Sequence, residues 1–468
     1  MRAGAVKHGT VTRGAERHSR QRVPRPVILG FSIGSLGTGI FSVTPSVLLL
    51  YFMTDILGIA AALAALAVSV PKLWDVVTDP VMGMISDRTR SRWGRRRPYL
   101  LIGAILMSVS FVFLFSVPES LSVAGRFWYV FVIFTLSATA YTIFAVPYIT
   151  MPAEMSADTH ERTVIMTYRM VFATAGLLIG ASVAPMLVDW FGGGRAGYAS
   201  MSYVVGGFCA ATMMVTVFST QSVKATTYTP SSLPIKEQLL LGLRNRPFFV
   251  LLSAYFLQLM GLATFLAAAP FFVVYVTGAG AGATGLIFLC LMGSGLVSMP
   301  FWAAMSRRFG KLNCYTSAVI LYAFISLGLV FIDGEGTGTF LYVLCAVLGI
   351  PFGCIMMMPF SMMTDAVRFD SIQTGLHREG VFTGLWTAGE KGGLALGPMI
   401  AGVFLSLFGF AEASGGTAVE QTTSAIWGIR LAFAIAPSVI VLGSLLILRL
   451  YDLDEETLAL GEKVTNSI

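Results

Sequence analysis

The stretch Lys72-Leu73-Trp74-Asp75-Val76-Val77-Thr78-Asp79-Pro80 is followed closely by Asp87-Arg88-Thr89-Arg90-Ser91-Arg92-Trp93-Gly94-Arg95-Arg96-Arg97-Pro98. The first run sets two carboxylates and an ammonium inside an apolar segment. The second is a dense positive loop at that segment's end. Charges in hydrocarbon are costly, so a membrane protein keeps them mainly where they bind something. Basic loops mark the cytoplasmic face, so this pair of runs also orients the segment.

Working outward, 56% of the 468 residues are hydrophobic and only 12% are charged. Soluble domains are about half apolar and about a quarter charged. The mean hydropathy is +0.78, and apolar stretches long enough to cross a ~30 Å hydrocarbon core recur throughout. The chain reads as an integral membrane protein. Its net charge of +7 resides in loops, which argues against nucleic acid as a partner. Cys209, Cys290, Cys314, Cys345 and Cys354 form no CxxC pair, which disfavours a disulfide framework or zinc site. The N-terminal residues are basic and lack the apolar core and cleavage site of a signal peptide. A cytoplasmic tail is expected there, with a transit peptide as the alternative.

The apolar pattern predicts twelve helices, near 27–53, 60–86, 99–117, 126–152, 162–190, 198–219, 247–275, 281–305, 313–332, 338–364, 381–409 and 427–450. Lys and Arg concentrate in 87–97, 221–246 and 306–311, after even-numbered helices. Both termini are therefore expected in the cytoplasm of a cell in whose plasma or inner membrane the chain sits. The expected division is a basic tail 1–25, a six-helix bundle 26–220, a central cytoplasmic loop 221–246, a second six-helix bundle 247–450 and a tail 451–468. Gly94-Arg95 and Gly310-Lys311 occupy corresponding places in the halves. Six plus six helices around a midplane site is the logic of secondary transporters. Pro147, Pro351, Pro359, Gly392 and Gly393 are expected to interrupt helices four, ten and eleven, as is tolerated beside a cavity.

Depth follows from the helical rise of ~1.5 Å per residue. Asp75 falls about 16 Å in from the basic end, Asp79 about 10 Å, Thr142 about 15 Å, Arg169 about 10 Å and Lys391 about 15 Å. Polar groups from four helices thus share one layer. Lys72, Asp75 and Asp79 lie on one helical face. Two carboxylates so close repel unless a proton or cation joins them. Lys72 is the expected charge partner of one. A sodium ion or proton would balance the other, with Thr78 and Thr142 as neutral ligands. The alternative is a structural Lys72–Asp75 pair. Arg169 and Lys391 either contact the substrate directly or pair with Asp75, Asp79 or Glu390. Trp386 and Thr387, one turn from Lys391, suit a sugar-like solute, while packing is an equal reading for the Trp. The methionines Met356–Met358, Met362 and Met363 read as flexible core packing.

The run from Lys72 to Tyr99 resembles the glycoside–pentoside–hexuronide:cation symporter family of the major facilitator superfamily. So do Ala140 to Tyr148, Ala157 to Phe172 and Thr374 to Pro398. The resemblance covers nearly all the chain outside the tails. It implies an all-α membrane protein with the major facilitator fold: twelve transmembrane helices in two pseudo-symmetric halves. It implies cation binding at Asp75, Asp79 and Thr142, with Thr78 in place of the family's asparagine. Substrate binding would fall to Tyr141, Arg169, Thr387 and Lys391. The acids that grip hydroxyls in the family's galactoside carriers fall at Gly39 and Ala145. Lysophospholipid symporters of the same family also place threonine between the two acids and keep the lysine, so an amphipathic lipid is an alternative cargo.

Asp158, Glu161 and Arg162 lie at the junction between helices four and five, and Asp365, Arg368, Asp370, Arg378 and Glu379 lie between helices ten and eleven. They read as an inner gate of breakable ion pairs, or else as solvated loops whose pairs contribute about 0–1 kcal/mol each. Arg368 stands where relatives often carry an acid. The histidines His8, His18, His160 and His377 are placed outside the helices, and no Ser-His-Asp or HExxH pattern occurs. The sequence therefore predicts no enzyme and no cofactor or metal beyond the coupling cation. It predicts a monomeric symporter whose partners are a small-molecule substrate, a monovalent cation and the lipid bilayer. A receptor or scaffold is the alternative from another class, and solute flux separates the two.

Overall fold

The computed structural model describes residues 23–156, 158–222, 245–334, 338–374, 379–413 and 419–453. Among them are twelve long helices and no strand. The first six are α1 Arg25–Ile56, α2 Ala61–Arg88, α3 Arg97–Phe115, α4 Val123–Thr150, α5 Thr159–Trp190 and α6 Gly194–Ser219. The second six are α7 Arg246–Val276, α8 Ala283–Phe309, α9 Lys311–Phe331, α10 Gly338–Thr374, α11 Glu379–Leu407 and α12 Thr423–Leu448. Eleven are long and apolar enough to cross a bilayer. The other, α11, carries Glu390 and Lys391 near its middle. Most of the basic tail, most of the central loop, the C-terminal tail beyond 453, Arg378 and the side chain of Glu379 lie outside the described residues.

Packing repeats between the halves. In the first, α1 packs on α5 and α6, α3 on α4 and α6, and α2 on α4. In the second, α7 packs on α11 and α12, α9 on α10 and α12, and α8 on α10. Each pair maps onto its counterpart six helices later. The basic loops repeat as well. Gly94 and Gly310 both take positive φ, at 95° and 83°, which glycine adopts without the Cβ clash. The residue after each then reaches an acid of its own half: Arg95 meets Glu154 just beyond α4, and Lys311 meets Asp365 on α10 at 2.6 Å.

Three helix pairs make most of the contact between the halves: α1 with α7, α2 with α11 and α5 with α8. Their tight contacts cluster at the end opposite the basic loops. Tyr275 Oη of α7 donates to Asp55 Oδ1 of α1 at 2.8 Å, and the Tyr51 and Phe271 rings meet edge-on at 5.2 Å. Gly285 of α8 abuts the backbone of Ser182 on α5, and Gly402 of α11 abuts Ala61 and Ala65 of α2. Near the end of α5, the Asp189 side chain lies against Gly282, just before the start of α8. The Ala61 N–H at the start of α2 donates to Glu412 Oε1 at 3.4 Å. These last two contacts are counterparts under the six-helix repeat. Each puts a carboxylate at the positive end of a helix in the other half.

Three expectations are corrected. Helices α4, α10 and α11 run unbroken through Pro147, Pro351, Pro359, Gly392 and Gly393. The Gly393 site is instead a close crossing, where a Cβ would stand 2.7 Å from the Phe256 carbonyl oxygen of α7. Next, α10 extends ten residues past its expected end at 364, so Asp365, Arg368 and Asp370 lie on a helix rather than in a loop. No proline or glycine falls between Pro359 and Thr374 to stop it. Finally, His160 lies in the first turn of α5, because Asp158 caps that helix by accepting from the His160 N–H at 2.9 Å.

Candidate functional site

At the middle of the bundle α2 turns Asp75 and Asp79 toward α4 and α11. Lys391 Nζ donates to Asp79 Oδ2 at 2.5 Å and lies 3.6 Å from Asp75 Oδ2. This ion pair crosses between the halves. The other carboxylate oxygens turn to α4: Thr142 Oγ1 donates to Asp79 Oδ1 at 2.7 Å and lies 3.4 Å from Asp75 Oδ1. Thr78 Oγ1 lies 3.3 Å from Thr142 Oγ1. Four oxygen-bearing side chains therefore converge. Asp75 and Thr142 are buried, at 9% and 1% exposure. No group of three or more His, Cys, Asp or Glu suited to a metal occurs among the described residues. Two carboxylates and two hydroxyls form a weaker field, the kind of donor set that suits a monovalent ion or a proton.

Lys72 is not the ion-pair partner of Asp75. Its ammonium turns to α1 and donates to Ser46 Oγ at 2.8 Å. The i, i+3 spacing put the two on one face, but Lys391 from α11 holds the acids instead. Lys72 remains nearby as a positive charge on Asp75. Of the two readings open for Lys391, pairing with the acids describes this structure.

Tyr141 and Arg169 stand beside this cluster. Lys391 Nζ lies 5.4 Å from the centroid of the Tyr141 ring, which stacks on Phe41. Such cation–ring contacts are favourable when desolvated. The Arg169 guanidinium lies 5.5 Å from the Tyr148 ring, and its Nε has no hydrogen-bond partner. Thr387 donates to the carbonyl of Thr383 one turn back on α11. Trp386 does not face a solute: it is 2% exposed and stacks on Tyr255 at 4.8 Å with Phe360 and Phe248 around it. The packing reading holds for this ring.

The expected gate residues are held inside their own halves wherever the structure gives the partner. Glu161 accepts from Ser156 Oγ and from the Val23 N–H, Asp158 caps α5, and Asp365 pairs with Lys311. Glu154 and Asp87 were not foreseen. Glu154 binds Arg95 and Arg96, and Asp87 binds Arg96 at 3.1 Å. Asp55 was also missed. An acid in the apolar run Tyr51–Ile56 was its signal.

The family model described as MFS/sugar transport protein matches residues 30–455. The glucuronide carrier protein homolog of Escherichia coli is 25% identical, with 93% of this chain and 94% of that protein covered. The isoprimeverose transporter of Lactiplantibacillus pentosus is 25% identical, covering 84% of this chain and 82% of its own. A bacterial homolog of the human lysosomal transporter Spinster, solved in an inward-facing and unoccupied conformation, superposes with a TM-score of 0.67. That match has 14% identity and covers 91% of this chain and 95% of the other, which fixes the fold. These are membrane transporters rather than enzymes. The chain is a multi-pass membrane protein with the major facilitator fold, and it belongs to the MFS/sugar transport family, in its glycoside–pentoside–hexuronide:cation symporter group.

Proposed function

We propose that the chain is a cation-coupled symporter that imports a sugar- or uronate-type solute by alternating access. One observation carries this reading: Asp75 and Asp79 from one half, and Lys391 from the other, form a single charged cluster at the midplane. The basic loops orient the protein with those loops and both termini in the cytoplasm. Contacts between the halves gather at the opposite end, so this conformation faces inward.

The coupling logic is electrostatic. With the site empty, the Lys391 ammonium answers the two carboxylates. A sodium ion or proton arriving at the Oδ1 oxygens and the Thr78 and Thr142 hydroxyls weakens the acids' hold on Lys391. The ammonium is then free for the cargo. An unpaired ammonium in hydrocarbon is costly, so cargo binding is favoured once the cation is bound. A solute bearing a carboxylate suits Lys391 and Arg169, the latter offering a two-pronged donor. The relatives named for a glucuronide and for isoprimeverose support a glycoside over a lysolipid.

The test is uptake into proteoliposomes under an imposed sodium or proton gradient. The solutes are 4-nitrophenyl β-D-glucuronide, the matched glucoside and lysophosphatidylcholine. Gradient-stimulated uptake of the glucuronide is expected. Stimulation for the lysolipid alone reverses the cargo assignment, and no stimulated flux of any solute contradicts the symporter reading.

A further inference from the structure

Helices α2 and α8 hold corresponding places in the two halves, and each carries a row of exposed apolar side chains that ends in an exposed arginine. On α2 the row is Val77, Val81, Met84 and Arg88, and on α8 it is Val297, Phe301, Ala304 and Arg308. Both rows advance by four, three and four residues, spacings that keep to one helical face. At about 100° per residue, the α2 row lies on the side opposite Asp75 and Asp79. It therefore faces away from the charged cluster. An exposed apolar row of this kind marks contact with the membrane.

The arginines end these rows at a definite depth. Arg88 stands about 20 Å along α2 from Asp75 at the midplane. Half of the hydrocarbon core is about 15 Å, and the headgroup region ends about 20–22 Å from the midplane. The Arg88 guanidinium is thus level with the phosphates of the cytoplasmic leaflet, and the repeat sets Arg308 at the same level. Among the described residues, neither guanidinium has an ion-pair or hydrogen-bond partner. Arg308 only lies 5.3 Å from the ring of Phe309. The neighbouring acid Asp87 is taken by Arg96, and α8 contains no acid. Trp93, exposed in the loop after α2, is a residue type enriched at this depth.

We infer that Arg88 and Arg308 head two equivalent sites, one per half, for an anionic phospholipid of the cytoplasmic leaflet. The guanidinium forks the lipid phosphate, and the acyl chains lie along the apolar row. A choline headgroup carries its own counter-charge, whereas a guanidinium without a protein partner favours a headgroup of net negative charge. The inference goes beyond the proposed function and is independent of the cargo and the coupling ion.

The test uses the purified full-length chain in a neutral detergent, titrated with dioleoyl phosphatidylglycerol or dioleoyl phosphatidylcholine, which share their acyl chains. Native mass spectrometry counts the lipids held, and the melting temperature reports stabilisation by binding. Wild type should hold two phosphatidylglycerols, each about fivefold or more tightly than phosphatidylcholine, and should melt higher with the anionic lipid. Arg88→Gln and Arg308→Gln should each hold one, and the double variant should no longer distinguish the two lipids. Arg92→Gln removes the same charge from the loop off the row and should still hold two. As exposed substitutions, all four variants should melt as wild type does without lipid. Equal affinity of wild type for both lipids, or two phosphatidylglycerols on the double variant, would overturn the inference. So would an equal loss in Arg92→Gln, which would make the attraction a diffuse property of the loop. Inorganic phosphate that stabilises the chain and displaces the lipid would show a soluble-anion site in place of a lipid site.

Discussion

Lys391 Nζ of α11 and Asp79 Oδ2 of α2 stand 2.5 Å apart, joining the two six-helix halves by an ion pair at mid-membrane depth. Any movement that reopens the opposite end must rearrange α2 against α11, so this pair sits on the transport coordinate. It also sets up a competition. The ammonium and the coupling cation draw on the same two carboxylates, so removing one should favour the other. Lys391→Ala is expected to tighten sodium binding by about tenfold or more, since a close pair at an effective dielectric near 20 carries a few kcal/mol. Sodium-dependent shifts in melting temperature measure this. Weaker sodium binding in the variant would mean that Lys391 supports the cation rather than competing with it.

The bond from Tyr275 to Asp55 holds α7 to α1 at the closed end. Asp55 is 1% exposed, and its Oδ2 has no hydrogen-bond partner. Tyr275→Phe deletes the hydroxyl and leaves the buried acid without this donor, at a cost of about 1–3 kcal/mol to the closed form. The population should move toward the state that opens at this end. Spin-label distances across the Gly58 and Gly278 turns should lengthen on average, and unchanged distances would remove this bond from the gate.

Glu154 binds Arg95 and Arg96, and both Glu154 and Arg96 are nearly buried, at 7% and 5% exposure. Breaking one partner of a buried pair strands the other. Glu154→Gln is therefore expected to destabilise the first half by about 3 kcal/mol, read as a lower melting temperature. Substituting the exposed Arg92 should leave it unchanged. Equal melting temperatures for wild type and Glu154→Gln would make this pair a surface ornament.

Gly39 marks the contact of α1 with α5, and Gly176 and Gly180 of α5 return it against Leu36 and Ile40. Restoring an acid there by Gly39→Asp should wedge the helices apart, costing about 1–3 kcal/mol as overpacking does. A lower melting temperature and no gain in binding a neutral galactoside are expected. A stable variant that binds galactosides would show that position 39 faces the cargo after all.

The helices, their number and the midplane acids were legible because each rests on a local signal: apolar length, or a charge where none is cheap. Asp75, Asp79 and Thr142 were found that way, from depth along their helices. Partner choice was less legible. The Lys72–Asp75 spacing is a helical neighbour relation, whereas the pairs formed, Lys391 with Asp79 and Lys72 with Ser46, depend on how α11 and α1 pack around α2. The outcome for Trp386 turned on rotation about the α11 axis, which aims it at Tyr255 instead of the cavity. Glu154 and Tyr275 gave no warning because their meaning lies wholly in a partner distant in sequence. The prolines misled because a missing backbone donor is tolerated inside a packed helix without a break.

The most direct test of the central claim is gradient-driven uptake of labelled 4-nitrophenyl β-D-glucuronide into proteoliposomes by wild type and Asp79→Asn, side by side. The variant keeps the shape of residue 79 but removes one of the two charges that hold the cation and Lys391. Wild type should concentrate the solute above equilibrium, while Asp79→Asn carries it only to equilibrium. Accumulation by Asp79→Asn to the wild-type level under the same gradient would contradict the account.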